Sequence, residues 1–353
     1  MGRRYLKMKV SRECRYFEGD KPCIFHKQEG AICRCRYYQP INYRILIIKS
    51  GRIGDVIRTT PILRKLKQEH PNACITWMTD FPEVLPDLVD NPLEFKAKNI
   101  LILQAGQFDL LLNFDKELES CALTKMIKAD KKKGFTIIDG KCAPIDGDSI
   151  FKFQTGIDDG LNKRCKKSYP EQVFDMAGYQ FNKERYILDC RFDKHKKLIG
   201  FNAGAGERWP NRLWSEDKWI GLAKRLKAAG YEVMLLGGES EHNKNLRIAQ
   251  IAEVVYFGHH SLKTFIALVN LCDLIVTGVT MTLHIAIALE KKIVLLNNIF
   301  NKAEFELYGL GKILEPKVTC VGCYRLNCER NCIEMIRIED VLEAVRKLMK
   351  NED

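Results

Sequence analysis

The sequence predicts an α/β protein in which two Rossmann-like domains face a cleft. Two series of short β-branched runs alternate with amphipathic segments, one beginning at Tyr43 and the other at Leu198. Repeated alternation of this kind indicates parallel sheets that are covered by helices. The length of 353 residues also suggests two domains, because a domain usually holds about 150 residues.

The composition is that of a folded protein with an excess of positive charge. Hydrophobic residues make up 46% and charged residues 29%, which excludes disordered and collagen-like chains. No apolar run reaches the ~18 residues of a membrane-spanning helix, and the basic N-terminus lacks the apolar core of a signal peptide. We therefore expect a cytoplasmic protein. The net charge of +12 either serves solubility or attracts sugar phosphates, anionic lipid or nucleic acid.

The first 41 residues differ from the rest of the chain. They lack helical or strand periodicity, are rich in Cys, Arg, Tyr and Lys, and predict a small appended module. Strands of the first series are then predicted at 44–49, 74–78, 100–103 and 109–113. A helical pattern at 56–70 either kinks at Pro61 or begins there. The polar, glycine-rich stretch 131–168 is interpreted as loops.

The second series has five predicted strands and four predicted helices, followed by a C-terminal helix. The strands are expected at 198–202, 232–236, 254–257, 273–277 and 292–296. The helices are expected near 216–229, 241–252, 262–271 and 282–289, and the last one near 338–349. Because ligands of open parallel sheets bind beyond the carboxyl ends of the strands, the turns at those ends are the candidate sites.

The first such turn is Gly51-Arg-Ile-Gly54-Asp55. Glycines permit close backbone approach, and the amides of a helix N-terminus attract phosphate or carboxylate. The spacing is not a full Gly-x-Gly-x-x-Gly, so the turn does not indicate a nicotinamide cofactor. Asp55 is either the N-cap of the following helix or a general base that faces the cleft.

Three further strand ends, all in the second series, are suited to phosphate or ribose. The turn after Asn202 contains Gly204 and is followed by Arg208 and Arg212, which is suitable for a diphosphate. Hydroxyl groups and helix amides also favour phosphate binding after the strand at 273–277, where His284 is interpreted as a packed histidine. The hydroxyl groups after the strand at 273–277 are those of Thr280 and Thr282. At the third strand end, Gly238, Glu239 and Glu241 are candidates for ribose binding.

Four segments in this order resemble glycosyltransferase family 9, the lipopolysaccharide ADP-heptose heptosyltransferases. They are 45–63 with Ser50-Gly-Arg-Ile-Gly-Asp55, 199–219 with Asn202-Ala-Gly-Ala and Arg212-Leu-Trp, Leu235-Leu-Gly-Gly238, and Leu283-His-Ile-Ala-Ile-Ala-Leu289. The resemblance runs from about Tyr43 to Leu348. It implies a GT-B fold and an inverting, metal-independent transfer of a heptose from ADP-heptose, or a related nucleotide sugar, to a lipopolysaccharide-core or protein hydroxyl.

By this resemblance, Asp55 is the general base and Arg212 stands where the family usually has a lysine beside the donor diphosphate. The donor-binding residues are expected to be Gly54, Asn202, Gly204, Arg208, Gly238, Glu239, Glu241, Thr280, Thr282 and His284. Where the family reads Asp-Thr-Gly, this chain has Val279-Thr-Met281. Because of that departure, the identity of the donor sugar stays open. A non-catalytic relative of the family is an alternative.

The resemblance also suggests how the chain divides and what it contacts. We expect a Cys-rich basic module at 1–41, an acceptor domain at 42–190, a nucleotide-sugar domain at 191–332 and a C-terminal helix at 333–353. The partners expected are the donor and an anionic glycolipid or protein acceptor. Peripheral association with the inner face of the membrane and a homo-oligomer are further alternatives.

Eight of the 14 cysteines form two groups, one near each end of the chain. They are Cys14, Cys23, Cys33 and Cys35 near His26, and Cys320, Cys323, Cys328 and Cys332. Thiolates at such spacing suit structural zinc or iron, although reduced thiols are the alternative for the second group. The first group predicts a zinc-type knot, because its segment has few apolar residues to fold around. Neither group is expected to be catalytic, so no catalytic cofactor is predicted.

A rival hypothesis is a nucleic-acid-binding protein that uses the basic Cys-rich module. Its aromatic residues interleave with arginines, which is typical of nucleic-acid surfaces. They are Tyr5, Tyr16, Phe17, Tyr37 and Tyr38. Steeply salt-dependent binding to RNA or DNA without affinity for a nucleotide sugar would favour it.

Overall fold

Two β-sheets, one from each half of the chain, organise the fold. The computed structural model describes residues 10–190, 197–206, 210–326 and 328–350. The strands of the first sheet are β1 (Tyr43–Ile48), β2 (Ala73–Thr79), β3 (Asn91–Glu94), β4 (Gln107–Asn113), β5 (Lys128–Ile138) and β6 (Lys141–Pro144). The strands of the second sheet are β7 (Leu198–Asn202), β8 (Glu232–Leu236), β9 (Leu274–Thr277), β10 (Lys292–Leu296) and β11 (Gly311–Leu314).

Both sheets are of the doubly wound type. Across the described residues, the strand order is β3-β2-β1-β4-β5-β6 in the first sheet and β11-β10-β9-β7-β8 in the second. The pairs are parallel except β5 and β6, which form a hairpin. Its two-residue turn, Asp139-Gly140, has positive φ at both positions (49° and 72°), as such tight turns require.

Helices cover the sheets and the connections between them. In the first half they are α1 (Ile24–Glu29), α2 (Ile53–Ile57), α3 (Ile62–Glu69), α4 (Ala97–Ala105), α5 (Leu118–Met126), α6 (Gly147–Gln154), α7 (Asp159–Arg164) and α8 (Tyr169–Ala177). In the second half they are α9 (Glu216–Ala228), α10 (His242–Ala252), α11 (Leu262–Leu271), α12 (Met281–Ala288) and α13 (Ile338–Met349). None of these helices has both the length and the apolar character needed to cross a lipid bilayer.

The core begins at the β-branched strand β1. Ile45, Leu46, Ile47 and Ile48 have no exposed surface, as expected for a strand buried on both faces. The apolar cluster that contains Ile45 and Ile47 extends into the second sheet, where it includes Leu295. Continuous apolar packing therefore joins the two halves of the chain.

The predicted helix at 56–70 is divided at Pro61. Proline cannot continue a preceding helix, because it lacks an N–H and its ring clashes with the turn before it. α2 accordingly ends at Ile57, and Pro61 is the N-cap of α3, which starts at Ile62. Of the two alternatives, the start of a helix at this proline is the one that the structure adopts.

The predicted strand at 100–103 is wrong, because these residues lie inside α4. A run of four apolar residues does not distinguish a buried strand from a helix. In α4, Leu103 points inward, whereas Leu101 and Ile102 are 67% and 62% exposed. A helix can leave part of such a run in solvent because only one face packs on the sheet.

The predicted strand at 254–257 is reduced to one bridge. Val255 pairs with Met234 of β8 at a single position and is itself half exposed. β8 is the edge of the second sheet, so no neighbour lies beyond this segment to extend it.

The interpretation of 131–168 as loops is also wrong. This stretch contains most of β5, all of β6, and helices α6 and α7. The side chains of Asp146 and Asp158 accept hydrogen bonds from the first turns of the two helices, so each helix has an Asp N-cap. The Asp N-caps and the Asp139-Gly140 turn were signals for helices and a hairpin in the sequence. The many polar residues around them led instead to the interpretation as loops.

The N-terminal segment 10–41 packs against the edge of the first sheet and contains a short helix, α1. Arg15 forms an ion pair with Asp90 and donates to the carbonyl oxygen of Ala73 at 2.8 Å. Gly30 ends α1 with positive φ. The only residue in 10–41 that is buried is Ser11, so this segment has no apolar core of its own.

Candidate active site

The carboxyl ends of both sheets open onto one cavity of about 600 Å³. The strand order reverses between β1 and β4 in the first sheet and between β7 and β9 in the second. Such reversals are where open parallel sheets bind ligands. Most residues predicted for the site line this cavity, namely Gly54, Asp55, Asn202, Gly204, Arg212, Gly238, Glu241, Thr280, Thr282 and His284. Glu239 is not among the lining residues, and Arg208 lies outside the described residues.

A buried carboxylate holds the turn that follows β1. Asp115 accepts hydrogen bonds from the backbone N–H groups of Ser50 (2.8 Å) and Gly51 (2.9 Å). Lys49 Nζ lies 3.5 Å from the same carboxylate, and both side chains are buried. Buried ion pairs that also satisfy backbone donors are rigid supports. The turn therefore presents α2 to the cavity in one orientation.

Asp55 lies inside α2 and faces the cavity. The N-cap position belongs to Arg52, so the interpretation of Asp55 as a cap is wrong. Its carboxylate lies 2.7 Å from the guanidinium of Arg58, one turn further along. Burial raises the pKa of Asp55, but the positive charges of Arg58, Lys49 and other neighbours outweigh it and lower the pKa to about 2. The carboxylate is therefore ionised at neutral pH.

Arg58 is a site residue that the sequence analysis missed. Burial lowers its pKa, but Asp55 and other neighbours outweigh it and raise the pKa above its usual value. The guanidinium carbon stacks 3.6 Å from the ring centroid of Tyr169, and the side chain lines the cavity. The signal in the sequence was its position three residues after Asp55 on a helix, where side chains meet.

His284 packs against Gly54 and stays neutral. A Cβ at Gly54 would lie 2.6 Å from His284 Cδ2, so this close approach of α2 and α12 requires glycine. Burial, and then the charge of Arg58, lower the pKa of His284 to about 3. The imidazole is buried, which confirms a packed histidine, although it also borders the cavity.

Asn202 joins the two strand ends at the reversal of the second sheet. Its Oδ1 accepts hydrogen bonds from the hydroxyls of Thr277 (3.2 Å) and Thr280 (3.0 Å). Its amide donates to the carbonyl oxygen of Leu236 at 3.3 Å. The Thr280 hydroxyl is thus engaged within the protein, and Asn202 acts as a support that holds three strand ends together.

Arg212 crosses the second half of the cavity. Its guanidinium donates to the carbonyl oxygens of Ala205 and Val279 and lies 5.3 Å from the ring centroid of Phe300. Burial, followed by repulsion from Arg52, lowers the pKa of Arg212 to about 10. The side chain remains cationic at neutral pH and faces the same cavity as Asp55.

Glu241 is tied to the glycine turns around it. Its carboxylate accepts a hydrogen bond from the Gly238 N–H at 3.0 Å. A Cβ at Gly204 would lie 2.7 Å from its Oε1, so the turn after β7 needs glycine there. The carboxylate is held at the cavity wall by backbone contacts.

The start of α12 forms the wall opposite α2. Val279 and Met281, which replace the acid and the glycine expected from the family pattern, both line the cavity beside Thr280 and Thr282. Val279 therefore presents an apolar side chain at this wall. The backbone amides at the start of the helix carry partial positive charge.

Several lining residues were not predicted. They include Arg52, Phe81, Ser240, Phe265, Phe300 and Glu304. Glu304 accepts a hydrogen bond from the Tyr324 hydroxyl. It lies next to Phe305 and four residues after Phe300, which also line the cavity, and no motif marks it.

The arrangement combines a cluster of cations with a lone ionised carboxylate. Arg52, Arg58 and Arg212 border the cavity together with the helix amides, which suits a diphosphate. Asp55 faces the same space from the opposite sheet and can accept a proton. Such a site can bind a nucleoside diphosphate derivative and deprotonate a hydroxyl beside it.

The cysteine groups lie away from this cavity. Across the described residues, no three His, Cys, Asp or Glu side chains are placed to hold one metal ion, so the zinc and iron expectations gain no support. In the C-terminal group, Cys332 is buried and its sulfur accepts a hydrogen bond from Asn298 at 3.4 Å.

Comparison with known proteins gives a consistent result. The model of "Glycosyltransferase family 9 (heptosyltransferase)" matches residues 161–332. Lipopolysaccharide heptosyltransferase 2 of Salmonella typhimurium is 23% identical over 289 residues, which cover 72% of this chain and 82% of that protein.

Two solved structures show the likeness in three dimensions. A family 9 glycosyltransferase from Veillonella parvula has a TM-score of 0.69 and 19% identity, covering 88% of this chain and 98% of that one. The ADP-heptose lipopolysaccharide heptosyltransferase II of E. coli has a TM-score of 0.66 and 18% identity, with coverage of 88% and 99%. The α/β fold with parallel sheets is confirmed, and it is similar to that of GT-B heptosyltransferases.

Proposed function

We propose that this chain is a glycosyltransferase of family 9, and that it is an inverting, metal-independent enzyme that transfers a heptose or a related sugar. The donor is ADP-heptose or a related nucleotide sugar, and the acceptor is a hydroxyl of a lipopolysaccharide core or of a protein. The observation that carries this proposal is the shared cavity: Asp55 enters it from the first half of the chain and Arg212 from the second.

The donor diphosphate is assigned to the second half of the cavity. Arg212 is cationic and lies between the turns after β7 and β9. The first amides of α12 add partial positive charge to the same wall. These groups stabilise the negative charge that develops on the departing nucleoside diphosphate, which is the role that a metal ion plays in other transferases.

The base is assigned to Asp55. The acceptor oxygen attacks the anomeric carbon while the bond from that carbon to the phosphate oxygen breaks, and the nucleoside diphosphate leaves with the electron pair. The proton of the acceptor hydroxyl passes to the Asp55 carboxylate. Attack from the face opposite the leaving group inverts the anomeric centre. The ionised state of Asp55, with a pKa of about 2, supports this role, since a protonated acid cannot act as the base.

An ADP-heptose donor is supported by the relatives. The E. coli structure that resembles this chain is described as an ADP-heptose enzyme. Val279 stands where the family usually has an acid, so this wall offers no carboxylate to sugar hydroxyls at that position. Glu241 and Glu304 are the remaining carboxylates of the second half that line the cavity. We assign contacts with the ribose or the sugar to them.

The acceptor is assigned to the first half, within the proposed domain 42–190, and the donor to the proposed domain 191–332. The Salmonella relative is named for lipopolysaccharide, which favours an anionic glycolipid. The net charge of +12 favours such an acceptor and an encounter with the anionic inner face of the membrane. A protein acceptor is the alternative.

A nucleotide-sugar panel tests the proposal. Thermal shift and calorimetry with ADP, ADP-heptose, UDP-sugars and GDP-sugars would be followed by transfer assays on lipopolysaccharide-core and protein acceptors. We expect stabilisation by ADP and by one ADP-sugar, and transfer without added divalent metal in the presence of EDTA. Absence of binding by every nucleotide sugar, or transfer that requires a metal, would contradict the proposal.

A further inference from the structure

One arginine at the border of the active-site cavity, Arg52, has no partner in the part of the chain that the structure describes. It is the N-cap residue of α2, on the turn that follows β1, and its exposed side chain lines the cavity. The neighbouring cation Arg58, in contrast, pairs with Asp55 at 2.7 Å. Arg52 forms neither an ion pair nor a side-chain hydrogen bond with any described residue. Its charge is therefore available to a ligand.

Arg212 reaches the same space from the second half of the chain. Its guanidinium donates to the carbonyl oxygens of Ala205 and Val279, at the turns after β7 and β9, so its position is fixed. The two arginines are close enough for their charges to interact, because burial first and then repulsion from Arg52 lower the pKa of Arg212 to about 10. One cation from each half of the chain therefore faces the same part of the cavity.

Two like charges that face one cavity favour an anionic ligand between them. Their mutual repulsion opposes the approach of the two halves, whereas an anion that lies between them attracts both. Each guanidinium can donate a pair of hydrogen bonds to a phosphate group. The donor diphosphate carries a negative charge on each of its phosphate groups, so it offers one group to each arginine.

We propose that Arg52 is a second diphosphate-binding residue, which contacts the donor from the first half of the chain while Arg212 contacts it from the second. This inference rests on the proposed function and extends it. The donor then bridges the two halves and is not held by the second half alone. Arg58 is unsuited to the same task, because Asp55 already engages its guanidinium.

The contact would also position the proposed base. The backbone N–H of Asp55 donates to the carbonyl oxygen of Arg52 at 2.7 Å, so both residues belong to one turn of the backbone. The residues before it, Ser50 and Gly51, are held by the buried carboxylate of Asp115. A diphosphate bound to Arg52 is therefore linked through this supported turn to the group that takes the proton of the acceptor.

Calorimetry on the full-length protein tests the proposal. ADP, inorganic pyrophosphate and adenosine would be titrated into the wild type, Arg52→Gln, Arg52→Ser and Arg52→Lys. Serine is a preferred N-cap residue, so Arg52→Ser removes the charge without weakening the start of α2. The control is Arg12→Gln, which changes an exposed arginine outside the cavity. The Tm of each protein without ligand would be measured as well.

We expect Arg52→Gln and Arg52→Ser to bind ADP and pyrophosphate roughly 10- to 100-fold more weakly, the usual effect of losing a hydrogen bond to a charged group. Adenosine should bind as in the wild type, because it has no phosphate. Arg52→Lys should lose less affinity, and Arg12→Gln none. The Tm of the two charge-removing variants should equal or exceed that of the wild type, because their repulsion with Arg212 is gone.

Wild-type affinity for ADP and pyrophosphate in Arg52→Gln and Arg52→Ser would overturn this inference and leave the proposed function intact. A raised KM for a lipopolysaccharide-core acceptor in those variants would then assign Arg52 to the acceptor. Equal weakening of ADP and adenosine, together with a lower Tm, would show that Arg52 only supports its turn and would also overturn the inference. If the wild type binds neither ADP nor pyrophosphate, the proposed function fails together with it.

Discussion

At the scale of single residues, the state of Asp55 depends on its neighbours. The carboxylate is partly buried, with 30% of the side chain exposed, and burial alone would favour its neutral form. Arg58, at 2.7 Å, and Lys49 keep it ionised, and the low pKa follows from them. A carboxylate this acidic holds a proton only weakly, so proton transfer must accompany formation of the new glycosidic bond.

Replacement of the proposed base, Asp55→Asn, should abolish most transfer while donor binding persists. The amide keeps the shape of the side chain but cannot accept the proton, and general-base catalysis contributes roughly 10²–10⁴-fold. Transfer rates and calorimetry with ADP separate the two effects. Asp217→Asn, an exposed acid of α9, is the control. Undiminished transfer by Asp55→Asn would remove this residue from the mechanism.

The charge of Arg212 can be tested with two substitutions. Arg212→Met removes the cation and should reduce kcat by roughly 10²–10³, the usual effect of losing one such group. Arg212→Lys keeps a cation of the kind that the family usually has, so it should retain much more activity. Equal losses in the two variants would show that packing against Phe300, rather than charge, is what matters.

The pH dependence of transfer should reveal the pairing of Asp55 with Arg58. With a pKa of about 2, the wild-type carboxylate stays ionised over an ordinary assay range, so Asp55 produces no acid limb there. Arg58→Gln removes the first of the cations that lower this pKa, which then rises toward or above the usual value of about 3.9. The kcat/KM of this variant should fall as pH decreases below about 5, where a carboxyl group of ordinary pKa becomes protonated. Arg225→Gln, outside the cavity, should keep the wild-type profile, and an unchanged profile in Arg58→Gln would refute the pairing.

At the scale of elements, helices α2 and α12 meet across the cavity. One comes from each half of the chain, and Gly54 lets them approach until His284 touches the backbone. The burial of His284 keeps it neutral, so the contact is one of packing. Gly54 therefore sets the distance between the proposed base, Asp55, and the start of α12, where the donor is proposed to bind.

Substitution of that glycine should separate the helices. In Gly54→Ala, the new Cβ would lie 2.6 Å from His284 Cδ2, and overpacking of this kind usually costs about 1–3 kcal/mol. We expect a lower Tm and a loss of transfer. The control Gly147→Ala adds a Cβ with no atom within 4 Å. Recovery of the Tm in Gly54→Ala/His284→Ala would identify the clash, and a wild-type Tm for Gly54→Ala would disprove it.

At the scale of the whole molecule, the chain consists of two sheets joined by a common apolar cluster, with the N-terminal segment held at an edge of the first. The segment lacks a core, so its attachment depends on polar contacts. Asp90 pairs with both Arg15 and Lys67, and these side chains are about one-fifth exposed. Hydrogen bonds to such charged groups contribute about 1.5–3 kcal/mol each.

Loss of the attachment should loosen the segment without unfolding the sheets. In Arg15→Ala, hydrogen exchange within residues 10–41 should become at least about tenfold faster, because 1.4 kcal/mol corresponds to a factor of ten. Exchange in β1 and β7 should remain unchanged. The control is Arg36→Ala, whose exposed partner Glu29 lies within the segment itself. Equal protection in Arg15→Ala and the wild type would mean that other contacts hold the segment.

The α/β class with two sheets, most strands and the cavity-lining turns could be predicted from the sequence alone. Buried parallel strands are continuous apolar runs, and glycine, threonine and arginine at their carboxyl ends carry a local signal. Local patterns were insufficient in three places. At 100–103 a helix packs on the sheet with one face only, and at 131–168 the Asp N-caps start helices. At 254–257 the segment lies at the edge of the sheet.

Which groups act on one another could be seen only in the folded protein. Burial raises the pKa of Asp55, whereas Arg58, its near neighbour in sequence, and Lys152, which only folding brings close, lower it. The spacing of the cysteines suggested zinc or iron, but across the described residues no three potential ligands are placed to hold one ion. Distance and burial determine electrostatics and metal geometry, and neither quantity is encoded in local sequence.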